Sequence, residues 1–340
     1  MKTSLEIHPG SQAGLGYARL GHGPIPVLVL HDWLGDHGSY DAAMPWLDGQ
    51  AFTYVFADLR GYGQSIALTG ACTVEEIAAD CLALADRLGW QRFHVVGHSM
   101  TGMITQRLAA DAPSRIASAI AVCPVSAAGN RLGPQALAFF ASTTEDDEAL
   151  RRLFRHVSSG LSDGWADAKV RHNRATVAPA CRRKYLDMLV TADFVDAVRG
   201  IETPFLVVVG DRDPGIDAQA MQGSFLAWHP NATLHVMAHC GHYPMQECPP
   251  AFAALSRASS SARPAESDAH KKKPGMAGLF HCGKWTGLGL FHFAEVRGAH
   301  LGVVQHVARR PRQGDLAGLH HIAAMAVLQR QAGVLLDQQD

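Results

Sequence analysis

The sequence predicts a doubly wound, mostly parallel α/β sheet. Three observations carry this. Short, continuous apolar runs recur along the chain, as strands covered on both faces require. Helical stretches with recognisable caps separate them. The 340 residues are 47% hydrophobic and 18% charged, the composition of a folded globular chain rather than a disordered one. The formal net charge of -1 also speaks against a nucleic-acid binder, because no basic excess is present to neutralise phosphates.

Taken in order, residues 26–31 form the first uninterrupted apolar run and residues 52–58 the second. Thr73-Val74-Glu75-Glu76 is a capping box. It opens a helix with Ile77, Cys81, Leu84 and Leu88 on one stripe, closed by Gly89. Residues 93–96 are the next strand, followed at once by Gly97, and a helix is expected over 101–112, where Pro113 stops it. Residues 116–123 carry no charge and end at Pro124, which marks another strand. Residues 205–210 give a further strand and 232–236 a weaker one.

Between Gly129 and Gly200 the strand runs stop. A helix start at 144–147 is followed by Leu150, Leu153, Phe154 and Val157 at helical spacing, and Tyr185, Met188, Leu189 and Phe194 give a second apolar pattern. Residues 130–198 therefore read as a helical cap above the sheet, with the core in 1–129 and 199–258. Residues 256–273 are rich in Ser, Ala and Lys, so 259–340 is expected to be a linker followed by an atypical C-terminal tail. Seven of the 19 His fall in that tail, at His270, His281, His292, His300, His306, His320 and His321. Their spacing matches no metal motif, so no metal is expected. The seven Cys are scattered without a C-x-x-C pair, which points to reduced thiols and a cytoplasmic setting. The first residues lack an apolar signal core, and no window of about 18 apolar residues suggests a membrane span.

The chemistry-bearing signal is Gly97-His98-Ser99-Met100-Thr101 between a strand and a helix. A Ser there sits on a sharp turn that lifts its hydroxyl above the sheet, and the helix N-terminus behind it favours a developing oxyanion. A hydroxyl is a poor nucleophile without a base held by a third group. Candidates follow in order: Asp213, with Asp211 two residues earlier as the alternative, and then His242.

Four patches now stand in sequence: His31-Asp32-Trp33-Leu34-Gly35, Asp58-Leu59-Arg60-Gly61-Tyr62-Gly63-Gln64-Ser65, the Ser99 turn, and Gly241-His242 with Glu247 and Pro249 behind it. Together they make residues 15–255 resemble the α/β-hydrolase superfamily, in its capped serine esterase and lactonase branch. The resemblance implies Ser99 as nucleophile, His242 as general base and acid, and Asp213 as the orienting carboxylate. It implies an oxyanion hole from the backbone N–H groups of Trp33 and Met100, with no cofactor. A small carboxylic ester, lactone or thioester is then the expected substrate, with no nucleic-acid or membrane partner expected. The pocket is expected to draw on His98, Phe139, Phe140, Trp165, Met188 and Tyr243. Other readings on the same fold are a C–C bond hydrolase, a cofactor-independent oxygenase, or a non-catalytic ligand-binding protein. Two positions depart from the family pattern. Thr101 stands where Gly is usual, which predicts a reshaped turn. Asp32 also stands where Gly is usual, and its charge would repel an oxyanion unless it points away or is paired.

Overall fold

The computed structural model describes residues 5–261. The sheet contains β1 (Glu6–His8), β2 (Tyr17–Leu20), β3 (Ile25–Leu30), β4 (Phe52–Ala57), β5 (Phe93–His98), β6 (Ile116–Val122), β7 (Phe205–Gly210) and β8 (Ala232–Met237). Their spatial order is β1-β2-β4-β3-β5-β6-β7-β8. From β4 across to β8 every pairing is parallel. The hairpin β1–β2 adds two antiparallel strands at one edge. That hairpin is absent from the sequence expectation. Its strands are three and four residues long and only partly buried, so neither gives a continuous apolar run.

The central strands are legible because helices cover both faces. β4 is buried at all six positions, and α1 (Val74–Arg87) and α2 (Met100–Asp111) follow β4 and β5. The Thr73 hydroxyl caps α1 by accepting from the Glu76 N–H at 3.2 Å, while Val74, Ile77, Ala78, Cys81, Leu84 and Ala85 form its buried stripe. The chain leaves β3 toward β4 on one side and returns to β5 on the other. The crevice at the carboxyl ends of β3 and β5 is therefore the switch point where such sheets bind ligands. Trp33 and Ser99 lie at those two ends.

Between β6 and β7 come α3 (Pro134–Ser142), α4 (Asp147–Val157), α5 (Asp163–Thr176), α6 (Pro179–Thr191) and α7 (Val195–Val198). Asp146 caps α4 through bonds from the N–H groups of Glu148 and Ala149, and Leu150, Leu153 and Phe154 turn inward. The short α8 (Ala218–Gln222) and α9 (Phe225–Trp228) follow β7, and α10 (Pro244–Glu247) and α11 (Pro249–Ser261) follow β8. The helix α11 runs through Ser261, so it takes in the first residues of the stretch expected to be a linker. Ala and Ser tolerate helix well enough to continue one already anchored by Phe252 and Ala253. The rest of the expected tail, with its seven His, lies outside the described residues. Among the described residues no helix is long and apolar enough to cross a membrane.

Candidate active site

Ser99 joins β5 to α2 with φ 54° and ψ −112°. A non-glycine residue there stores roughly 1–3 kcal/mol of strain, which neighbouring bonds must hold. The Ser99 N–H donates to the Val122 carbonyl at 2.8 Å, and its own carbonyl accepts from Gly102 and Val125, both at 2.9 Å. Gly97 is required beside it, because a Cβ there would collide with the Thr101 carbonyl. Thr101 does not relax the turn. Its hydroxyl oxygen accepts from the His98 N–H at 2.9 Å and lies 2.9 Å from the His31 carbonyl, to which it donates. The side chain thereby ties the start of α2 to the ends of β3 and β5.

His242 lies in the loop after β8. Glu247 shapes that loop, accepting from the N–H groups of Gly241, Tyr243 and Ser159 at 2.8, 2.9 and 2.8 Å. Asp213 lies in the turn after β7, where its Oδ1 accepts from Gly215 and Ile216. These loops bring three side chains into one line. Asp213 Oδ2 lies 2.6 Å from His242 Nδ1, and His242 Nε2 lies 2.9 Å from Ser99 Oγ. Asp211 is turned away and accepts from the Cys240 N–H instead. The geometry fixes the protons: Nδ1–H donates to Asp213, which leaves Nε2 to accept from the Ser99 hydroxyl.

Burial alone would lower the pKa of His242, but the charge and hydrogen bond of Asp213 outweigh it, and Asp32 and Glu247 add to them. The imidazole is held above its ordinary value. For Asp213 burial pushes up, yet His242 and the two N–H donors hold it below the usual carboxylate range. Cys123, at the end of β6, lies against this pair, and its thiol donates to the Gly241 carbonyl. Burial and the Asp213 charge keep that thiol protonated.

Asp32 is paired rather than free. Its carboxylate accepts from Tyr243 Oη at 3.0 Å, from Ser39 Oγ at 3.2 Å and from the Leu34 N–H at 3.3 Å. Lys169 reaches in from α5, with Nζ 3.5 Å from Ser39 Oγ and 4.7 Å from the centre of the Tyr243 ring. Burial opposes the charge on Asp32, but the Lys169 ammonium and the Tyr243 hydrogen bond help outweigh it and keep the carboxyl ionised. Lys169 escaped the sequence reading. The only signal was its place with Ala166, Val170 and Asn173 on the buried stripe of α5.

The expected oxyanion donors follow β3 and β5 in the chain. Met100 is the first residue of α2, so its N–H has no acceptor within the helix. The loop around Trp33 is fixed by Tyr62, whose hydroxyl donates to the Trp33 carbonyl at 2.7 Å, and by the indole N–H, which donates to the Arg182 carbonyl at 2.8 Å. Of the expected pocket residues, Phe140 stacks on Trp33 at 6.1 Å. Phe139 and Met188 are buried in the apolar core. Trp165 is committed to Gln246 through its indole N–H. His98 and Tyr243 are 0% and 1% exposed. Both lie against the His242 ring, where His98 Nε2 donates to the His242 carbonyl at 2.7 Å and Tyr243 engages Asp32. Among the described residues two groups are close enough to share a cation, Cys123–Asp213–His242 and Asp36–His37–Asp58. In the second, Asp58 already accepts from the His37 N–H, from His37 Nδ1 and from the Gln64 N–H.

A sheet switch point bearing a strained Ser, hydrogen-bonded to a His–Asp pair, defines an α/β-hydrolase. The model of the alpha/beta hydrolase fold family matches residues 25–247, and the chain belongs to that family and is a hydrolase enzyme. It is 28% identical over 246 residues to the pimeloyl-[acyl-carrier protein] methyl ester esterase of Nitrosomonas europaea, covering 68% of this chain and 94% of that one. It is 38% identical over 109 residues to the dihydrolipoyllysine-residue acetyltransferase component of the acetoin cleaving system of Cupriavidus necator, a match that spans 32% of this chain and only 29% of that one. An esterase from Exiguobacterium antarcticum shares the fold with a TM-score of 0.66 at 17% identity, over 77% of this chain and 100% of that one.

Proposed function

We propose that the chain is a serine hydrolase that cleaves a small carboxylic ester, lactone or thioester through an acyl-enzyme. The observation that carries this reading is the unbroken line from Asp213 through His242 to the Ser99 hydroxyl. His242 Nε2 takes the hydroxyl proton as Ser99 Oγ attacks the carbonyl carbon. The negative oxygen that forms is met by the N–H groups of Met100 and Trp33 at the positive end of α2. His242, now charged against Asp213, returns the proton to the leaving oxygen or sulfur. A water activated by the same imidazole then releases the acid. The likeness to a methyl ester esterase along most of its length supports an ester substrate. The free thiols of the described residues fit the cytoplasmic setting in which we place the enzyme.

The test is Ser99→Ala, assayed with a short p-nitrophenyl ester and a fluorophosphonate probe. The substitution is expected to lower kcat by roughly 10⁴-fold or more and to abolish labelling. Full turnover in the variant overturns the assignment of Ser99.

A further inference from the structure

Away from the Ser99 line, the fold brings together two thiols 109 residues apart in sequence. Cys72 lies in the core loop ahead of α1, and Cys181 lies in the first turn of α6 in the cap. Both are buried, and their sulfurs are 3.9 Å apart, with the Cys72 thiol donating. Cys72 is held at φ 59°, in the left-handed region that non-glycine residues avoid. The Glu76 carboxylate secures it there, accepting from the N–H groups of Cys72 at 2.7 Å and Ala71 at 3.2 Å. On the other side, Cys181 meets the positive N-terminus of a 13-residue helix. Lys184, one turn on, donates to the Gly70 carbonyl at 2.9 Å and brings a second positive charge. The bond from Cys72 is the strongest influence on the Cys181 thiol. Burial opposes it and Lys184 assists, and the thiol is brought down to about 7. Cys72 is pushed up by the same bond and by burial.

We propose that Cys72 and Cys181 are a modification site, a thiol pair that a peroxide converts to a reversible disulfide tying the cap to the core. The Cys181 thiolate attacks one peroxide oxygen. An S–O bond forms, the O–O bond breaks, and hydroxide leaves to become water. Cys72 then attacks the sulfenic sulfur as its proton is lost, the S–S bond forms, and a second water departs. Two thiols lose two electrons, and one peroxide gains them. The sulfurs close from 3.9 Å to about 2.05 Å.

That movement reaches the active site through a short path. The Cys181 sulfur packs on Gly61, where a Cβ has no room. The Gly61 carbonyl accepts from the Ala178 N–H at 2.8 Å. The next residue, Tyr62, pairs with Val177 and holds the Trp33 carbonyl. Closing the disulfide therefore shifts the Trp33 loop, an effect on turnover that rests on the ester-hydrolase reading above.

The experiment treats the full chain with hydrogen peroxide, alkylates the remaining thiols and maps peptides without reduction. A Cys72–Cys181 crosslink is expected, reversed by dithiothreitol, with kcat/KM for a p-nitrophenyl ester several-fold lower while it is present. Cys181→Ser removes the crosslink. Cys72→Ser also removes it but leaves a dimedone-reactive sulfenic acid on Cys181, with fluorophosphonate labelling of Ser99 as the check that the variant is folded. Cys248→Ser leaves the crosslink intact. Absence of the crosslink in the unaltered chain overturns the proposal. A crosslink that leaves turnover unchanged overturns its coupling to Trp33. The crosslink is read by mass and not by turnover, so its failure is distinct from a failure of the Ser99 assignment.

Discussion

At His242 burial and charge pull in opposite directions, and the carboxylates win. The imidazole is the base only when neutral, so the acid limb of the rate profile reports its pKa in the free enzyme. Asp213, Asp32 and Glu247 all act to raise it. The acid limb of kcat/KM for a short ester is therefore expected at a midpoint above the ordinary histidine value of about 6.5. Asp213→Asn removes the largest raising influence and the acceptor that fixes the tautomer. In that variant the midpoint is expected to fall and the rate to drop by roughly 10⁴-fold. A wild-type acid limb at or below the ordinary value would show that burial dominates after all. The same residue-scale logic explains how Asp32 could sit one residue from the proposed oxyanion hole. Its charge is already engaged by Tyr243, Ser39 and the Leu34 N–H, and faces Lys169.

Among the elements, α5 does the least obvious work, because it brings a buried ammonium from the cap, through the Ser39 hydroxyl, toward a carboxylate of the core. Removing one of two opposite buried charges leaves the other uncompensated and costs about 1–3 kcal/mol, whereas removing both costs less than the sum. Lys169→Met and Asp32→Asn are each expected to lower the urea midpoint. The double variant should recover about 1 kcal/mol or more relative to additivity, and strictly additive losses would show that the two groups do not interact through Ser39. This link was illegible in the sequence, since Lys169 and Asp32 are far apart in the chain and only the tertiary fold pairs them. The helix lies inside the stretch 130–198 expected to be helical, but its own buried face had no apolar signature, because the stripe of Ala166, Lys169, Val170 and Asn173 is half polar. By contrast, β3 to β7 could be read directly, since strands covered on both faces have nowhere to place polar residues. β1 and β2 could not, being short and edge-placed with mixed exposure. Within the site, Ser99 and His242 were readable from local turn motifs that backbone geometry demands. The family resemblance favours Asp213 over Asp211, and the folded course of the turn they share is what brings the Asp213 carboxylate to the imidazole.

At the scale of the whole fold, buried and half-buried histidines among the described residues set a common acid sensitivity. Burial lowers His94, on β5 beside Ser118 of β6, to about 4, with Arg92 assisting. Burial also lowers His98, beneath the active site, to about 3 despite Asp32, and His229, packed on Phe205, to about 4. His156 moves in the same direction for the same reason. In the unfolded chain each takes up a proton near pH 6.5. The unfolded state therefore binds more protons than the folded one between that pH and about 4, and stability must fall as the pH falls through this window. His37 and His242 are shifted the other way. Their contribution is complete below the unfolded value and is lost only as pH rises through their raised folded values, so neither offsets the decline below pH 6. Asp41, raised by burial, is one opposing carboxyl. Asp36, held down at about 2 chiefly by His172 against its burial, adds to the loss only once unfolded carboxylates protonate near 4. The expected result is a Tm that declines steadily from pH 6.5 to pH 4.5, each fully buried histidine contributing on the order of 1 kcal/mol per pH unit. Replacing His94 with Gln, which retains a donor for Ser118, should flatten that slope without touching the Ser99 line. A Tm that is constant or rises over the same interval would mean that these imidazoles titrate in the folded protein as they do in water.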